Sequence, residues 1–424
     1  MMSCSLSQLW VRLQLLMFLL GASCTAFSPR GDPSTLAPDI NSIGTSTFVP
    51  DHAAASRRPT AVWSTELDSD PLADVRTSYI ETSRQYRRTR FAHDDWLKHR
   101  SPDRFFKNLG TILFSGIYRG IAKEVLTVTG IATFIWAWNL FLGEGYVGLD
   151  GVHQDPIAEL PLLRLPLTPF TLASPSLGLL LVFRTNASYS RWDEARKAWG
   201  LIINHSRNIA RMGTAWSSKS IEPSDDIRRE KLQHLAKCIW AFPRSLARHM
   251  ESPFISEADY VADLLEKLDP DQAEGLIASA HRPNRALFDL SNAVNDLPMH
   301  ALRRNEIDKS IVVLGDQLGG SERLFSSPVP LFYTKHTARY LTAWLVFLPF
   351  ALYEPFGSTY NHFGMIPCAA VLSIFLFGIE ELAIQLEEPF SILPLLLYTN
   401  TIGNNAVEII SWHFIEEDTS GTHR

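Results

Sequence analysis

Cysteine is close to absent. Only Cys4, Cys24, Cys238 and Cys368 occur in 424 residues, and the first two fall in a leader, which excludes a disulfide framework and a thiolate zinc site. A surplus of one charge is missing too: the formal net charge is -6, so no global basicity points to nucleic acid as a partner. The thirteen histidines are scattered, with no H-E-x-x-H and no tight His/Asp/Glu set, and neither G-x-S-x-G nor a P-loop occurs. These absences predict a protein with no resident metal, no cofactor and no catalytic centre, and so not an enzyme. Gly143-Glu144-Gly145-Tyr146-Val147-Gly148 formally fits G-x-G-x-x-G, but it follows a helix-length apolar run and leads into a Pro-containing loop. A dinucleotide site needs a strand before and a helix after. No part of 188–327 alternates as a strand should, and the predicted class is all-α.

What the chain does have is 46% hydrophobic residues gathered into four blocks, which predicts a multi-pass membrane protein with four transmembrane helices. Residues 1–26 read as a signal peptide, with an apolar run at 9–21 and a small-x-small pattern at Cys24-Thr25-Ala26. Residues 27–75 read as a disordered, transit-like arm, so that the whole leader has the form of a bipartite plastid address; a plain secretory route is the alternative. In 76–120, Arg84, Arg87, Arg88, Lys98 and Arg104 alternate with Trp96, Phe105 and Phe106, predicting a basic interfacial helical segment. A first span at 121–142 is about 33 Å long as a helix, enough for a hydrocarbon core. The loop 143–164 carries Glu144, Asp150, Asp155 and Glu159 and is expected on the side opposite the basic segment.

The second span, 165–183, contains Pro166, Pro169 and Pro175 with Thr168, Thr171, Ser174 and Ser176. Proline removes backbone donors, which a membrane helix tolerates when neighbouring protein or water satisfies the freed carbonyls, so this helix is expected inside a bundle or beside a wet pathway. Together with the first it makes a unit at 121–187. Residues 188–330 are expected to form a helical extramembrane region, 331–390 a second helix pair with spans at 331–353 and 363–378, and 391–424 a C-terminal tail.

Two separated stretches carry a family likeness. The first is Phe183-Arg184-Thr185-Asn186-Ala187-Ser188-Tyr189-Ser190-Arg191-Trp192-Asp193-Glu194-Ala195-Arg196-Lys197-Ala198-Trp199-Gly200. The second is Phe377-Gly378-Ile379-Glu380-Glu381-Leu382-Ala383-Ile384-Gln385-Leu386-Glu387-Glu388-Pro389-Phe390. With these the chain resembles the bestrophin family, in its plant-type, plastid voltage-dependent chloride channel branch. The resemblance implies a homopentamer in the lipid bilayer of a plastid membrane, the thylakoid in particular. It implies passive conduction of chloride and other small anions, balancing the electrical gradient, through a central pore lined by the second helix and extended by the helical region on the stromal side. A non-conducting helical scaffold or regulator is the alternative, and a membrane enzyme would require acidic and histidine side chains that converge in space.

Thr168, Leu172 and Ser176 recur at i, i+4 and i+8 and share one helix face. The resemblance places the pore neck on that face, where related channels carry bulky apolar residues; here two of the three are hydroxyls, which could stabilise a partly dehydrated anion or merely satisfy carbonyls freed by proline. Arg184 is expected to line the pore at the membrane boundary. Asn186, Arg191, Trp192, Glu194 and Arg196 are expected to form a structural or pore-mouth motif; Arg191 with Glu194 and Asp193 with Lys197 have helix-pair spacing, and such pairs ordinarily just support an exposed helix. Glu380, Glu381 and Glu388 need partners from the Arg-rich helices, with Glu381, Gln385 and Glu388 on one stripe. In animal members an acidic run after this helix helps to bind calcium; Ser391-Ile392-Leu393-Pro394-Leu395-Leu396-Leu397 replaces it, so no calcium site carries over.

Overall fold

The computed structural model describes residues 79–111, 115–148, 150–250, 256–357 and 359–421. The signal peptide and transit-like arm expected at 1–26 and 27–75, with Cys4 and Cys24, lie outside the described residues.

Short helices α1 (Tyr79–Ser83), α2 (His93–His99), α3 (Arg104–Thr111) and α4 (Gly116–Gly120) lead into α5 (Ala122–Ala137), which ends in a π-helical turn, Trp138–Glu144. A hairpin of β1 (Tyr146–Val147) and β2 (His153–Gln154), antiparallel, stands between α5 and α6 (Thr168–Trp216). The chain continues through α7 (Asp225–His249), α8 (Glu257–Lys267), α9 (Pro270–Ala278), α10 (Arg282–Asn295), α11 (Ala301–Ser326), α12 (Leu331–Leu352), α13 (Met365–Glu387) and α14 (Leu395–Gly421). The class is all-α, the hairpin being the exception among the described residues. Gly145 permits that hairpin, since its φ is +84° and a Cβ there would meet the Gln154 carbonyl oxygen at 2.3 Å.

Local signals set the helix limits. Ser224 and Ser256 cap α7 and α8 by accepting from Ile227 N and Asp259 N, and the prolines at 270 and 283 stand in first turns, where the missing N–H costs nothing. The 49-residue α6 runs about 73 Å without a break, passing directly from the expected second span into the polar region. Pro175 lies inside it.

Two apolar cores form, and α6 contributes to both. The first gathers Ile121, Val128, Ala132 and Ile135 with Leu177, Leu181, Leu341, Leu345, Met365 and Ala369, packing α5, the start of α6, α12 and α13 into one four-helix sector. The second joins Trp199, Ile202 and Ile209 of α6 with α7, α10 and α11, and also takes Ile402, Ala406, Ile410 and Phe414 of α14. The segment 391–424, expected as a tail, therefore holds a 27-residue helix that is part of this core. Its apolar residues recur at helical spacing, which the polar character of the far C-terminus masks in sequence.

Among the described residues, Ala122–Glu144 and Tyr360–Glu387 are the helical stretches long and apolar enough to cross a membrane. The other two expected spans are helices, but prolines and hydroxyls dilute the start of α6, and Lys335, His336 and Arg339 dilute α12.

Candidate functional site

The start of α6 presents two unlike faces. Leu177, Leu181, Arg184 and Ser188 are buried against the four-helix sector, while Thr168, Leu172 and Ser176 are exposed, Leu172 at 75%. Leu179 and Phe183 continue the exposed face. The hydroxyls divide in the same way. Thr171 Oγ1 donates to the Thr168 carbonyl at 2.8 Å and Ser174 Oγ to the Phe170 carbonyl at 2.7 Å, so these two serve the proline-interrupted backbone. The hydroxyls of Thr168 and Ser176 are on the open face, where they can donate to something outside the subunit.

Arg184 is not on that face, which corrects its expected place lining a pore. It is 4% exposed, its Nη1 lies 2.5 Å from Glu380 Oε1 of α13, and the same nitrogen donates to the Thr334 carbonyl of α12 at 3.0 Å. The geometry of the helix gives the reason: sixteen residues at 100° each place Arg184 about 160° around α6 from Thr168. A charge at a span boundary marks the depth of the helix in a bilayer and says nothing about which way the side chain points.

The expected pair of Arg191 with Glu194 also gives way. Arg191 instead clamps three main-chain carbonyls, donating through Nε to Glu387 at 2.9 Å, Nη1 to Ser327 at 2.6 Å and Nη2 to Leu324 at 2.5 Å. It thereby ties α6 to the ends of α11 and α13. Glu194 pairs with Arg323 of α11, while Asp193 and Lys197 pair as their spacing predicts, at 2.6 Å. Trp192 packs on the second core, Arg196 lies over the Tyr398 ring at 5.2 Å and Asn186 is exposed.

Of the carboxylates at the end of α13, buried Glu380 and half-exposed Glu388 pair with arginines, while buried Glu381 is held by Gln385. Glu380 takes Arg184; Gln385 Nε2 donates to Glu381 Oε1 at 2.5 Å and its own Oε1 accepts from Arg87; Glu388 lies 3.3 Å from Arg84, which also donates to Ser391 Oγ at 2.5 Å. The Arg88 Nε donates to the Ser391 carbonyl at 2.8 Å. Burial and the neighbouring Arg84 charge push the Arg88 guanidinium down to about 10. The basic segment expected at the interface is thus split: its first arginines seal the end of α13, while Trp96, Phe105 and Phe106 remain exposed. Sequence reading could not find Arg84 or Arg87 as partners, because more than 290 positions separate them from Gln385 and Glu388.

The expectation of no His/Asp/Glu cluster also needs correction. Among the described residues His249, His281 and Glu322 converge, with ligand atoms within 4.8 Å of one another. They come from three helices, so no spacing rule reveals them. The described cysteines, Cys238 and Cys368, are free.

Comparison with known proteins agrees with this architecture. Residues 95–408 match the family described as Bacterial/Fungal Bestrophin protein. The chain is 29% identical to the voltage-dependent chloride channel 1, chloroplastic, of Arabidopsis thaliana, over 81% of this chain and 82% of that one. It is also 29% identical to the voltage-dependent chloride channel 2 of the same plant, over 89% and 80%. A crystal structure of a bacterial bestrophin homologue from Klebsiella pneumoniae superposes with a TM-score of 0.55 at 25% identity, covering 69% of this chain and 98% of that one. The match of the family pattern to most of the sequence, on a fold shared with a solved relative, establishes that this chain belongs to the bestrophin family.

Proposed function

We propose that the protein is an anion channel, with chloride as the main ion, and that the open face of α6 lines its pathway. The observation that carries this reading is the division of α6: buried apolar residues and Arg184 on one side, and Thr168, Leu172 and Ser176 exposed on the other with hydroxyls free to meet a dehydrating anion. The names of the Arabidopsis relatives, which are chloride channels of the chloroplast, support the ion and the organelle.

A closed pathway needs several copies of α6 around one axis, and we assign a homopentamer on the family resemblance. In this arrangement α5, the first part of α6, α12 and α13 are the four membrane spans. Their outward side carries Leu126, Phe134, Val371 and Phe375, suited to lipid, and both ends of the mature chain share the side of the basic segment. The region 188–330, joined by α14, forms the extramembrane part on the stromal side. The membrane is that of a plastid, the thylakoid, where anion flow offsets charge moved by proton pumping.

Purified protein reconstituted in planar bilayers under a chloride gradient tests this. Reversal potentials that follow chloride are expected; potentials that follow the cation, or a silent membrane at any protein density, refute the reading, the second outcome favouring a non-conducting scaffold.

A further inference from the structure

His249 is the last residue of α7, His281 is the N-cap of α10 and Glu322 lies in the last two turns of α11. Their side chains meet at one oxygen: Glu322 Oε1 is 2.9 Å from His249 Nε2 and 2.8 Å from His281 Nε2. The two imidazole rings are 4.8 Å apart between centroids. All three groups are about one-third exposed, so solvent reaches them without the core opening. We infer that His249, His281 and Glu322 form a binding site for a zinc-class divalent cation.

The donor set decides the class of metal. Two imidazole nitrogens and one carboxylate oxygen suit zinc and its first-row neighbours, whereas magnesium and calcium take sites built from oxygen alone. Three protein ligands leave the fourth tetrahedral position to water, which the exposure of the site supplies. The ligand atoms already lie within 4.8 Å of one another, so small side-chain rotations bring them to metal distance without backbone movement. The two imidazole–carboxylate hydrogen bonds give way to bonds to the metal, and one further contact yields: Asn284 N donates to His281 Nδ1 at 3.3 Å, so binding through Nε2 moves the proton of neutral His281 to Nδ1 and releases this long cap bond.

The location gives the site structural reach. Glu322 stands two residues before Leu324, whose carbonyl Arg191 of α6 holds, and next to Arg323, which pairs with Glu194 of α6. A cation bridging α7, α10 and α11 here would fix the seat on which α6 rests.

The test uses full-length protein purified without a histidine tag, stripped with chelator and titrated with zinc or magnesium. One zinc per chain is expected, with no response to magnesium. Glu322→Gln and His281→Asn should each weaken zinc by more than the roughly 10–100-fold lost with an outer-shell partner, while His300→Asn, an exposed histidine elsewhere, should not. Cobalt(II) added to the unmutated protein should give the intense visible bands of a tetrahedral site, a readout independent of how the variants fold. Absence of stoichiometric zinc, absence of those bands, or equal zinc affinity in all three variants refutes the site and leaves a hydrogen-bonded cluster.

Discussion

The four-helix sector of α5, α6, α12 and α13 and the sector built on α7, α10, α11 and α14 bury similar residues and differ in what they expose. In the first, the outer surface repeats the interior: Leu126 and Phe134 are as apolar as Val128 and Ile135 beneath them. In the second, the surface carries ion pairs, among them Lys237 with Asp269 at 2.6 Å and Lys309 with Glu306 at 2.6 Å, over a core of leucine, alanine and tryptophan. Burial follows side-chain chemistry more closely in the polar sector, although Phe288, Leu302, Val312 and Val407 are exposed there too. That is the pattern expected of one protein in two solvents, with α6 passing between them. At the seam stand Arg184 and Glu380, both nearly buried and paired, with Arg191, Arg84 and half-exposed Glu388 beside them.

The largest effect is expected at this seam. Arg184→Ala leaves Glu380 buried without its partner and should destabilise the protein by about 3–5 kcal/mol. Replacing both, Arg184→Met with Glu380→Leu, should restore most of the loss, because the cost lies in the stranded charge and not in the missing attraction. Thermal unfolding in detergent of the two single variants and the double distinguishes these cases. A double variant as unstable as the singles would show that the seam holds the sectors together by specific geometry.

The next contrast sets one sector's surface against the other's. Phe134→Asp in α5 places a carboxylate in the expected lipid layer and should cost about 3 kcal/mol of insertion, whereas Leu201→Asp in the polar stretch of α6 should change stability by less than about 0.5 kcal/mol. Both positions are exposed in the subunit. Membrane integration of each variant, measured by glycosylation-tag topology, breaks the two-solvent account if the costs are equal.

A smaller effect is expected on the pathway itself. Thr168→Val and Ser176→Ala each remove one hydroxyl donor, worth about 1–1.5 kcal/mol to an anion, so each should lower conductance roughly tenfold with the unfolding midpoint unchanged. Loss of stability without loss of conductance would assign both hydroxyls to packing.

The sequence made the division into sectors legible because hydropathy and proline placement are local. The i, i+4 spacing showed that Thr168, Leu172 and Ser176 share one face of α6, but only the family resemblance singled that face out. The partners of Arg184 and Arg191 are not legible in the sequence, because a helix wheel shows which residues share a face and cannot show what stands opposite it. Arg191 meets main-chain carbonyls, which carry no residue signature at all. His249, His281 and Glu322 are drawn together by the packing of three helices, and the amphipathic character of α14 was hidden within a segment read as a tail.

The smallest expected effect tests how dry the polar sector's core is. Cys238 is fully buried, with Gln272 Nε2 donating to its Sγ at 3.1 Å, and burial pushes the thiol up to about 12. An unfolded thiol titrates near 8.5. Below that pH both states hold the proton and Cys238 contributes no pH dependence. Between about pH 8.5 and 12 the unfolded chain releases the proton while the folded one keeps it, so stability falls as pH rises. Cys238→Ala, which has no proton to lose, should start less stable because of the cavity it creates, and its curve should then approach that of the unmutated protein as pH rises through this window. Parallel curves in urea unfolding across that range would mean that water reaches the thiol, and that the second core is wetter than its burial implies.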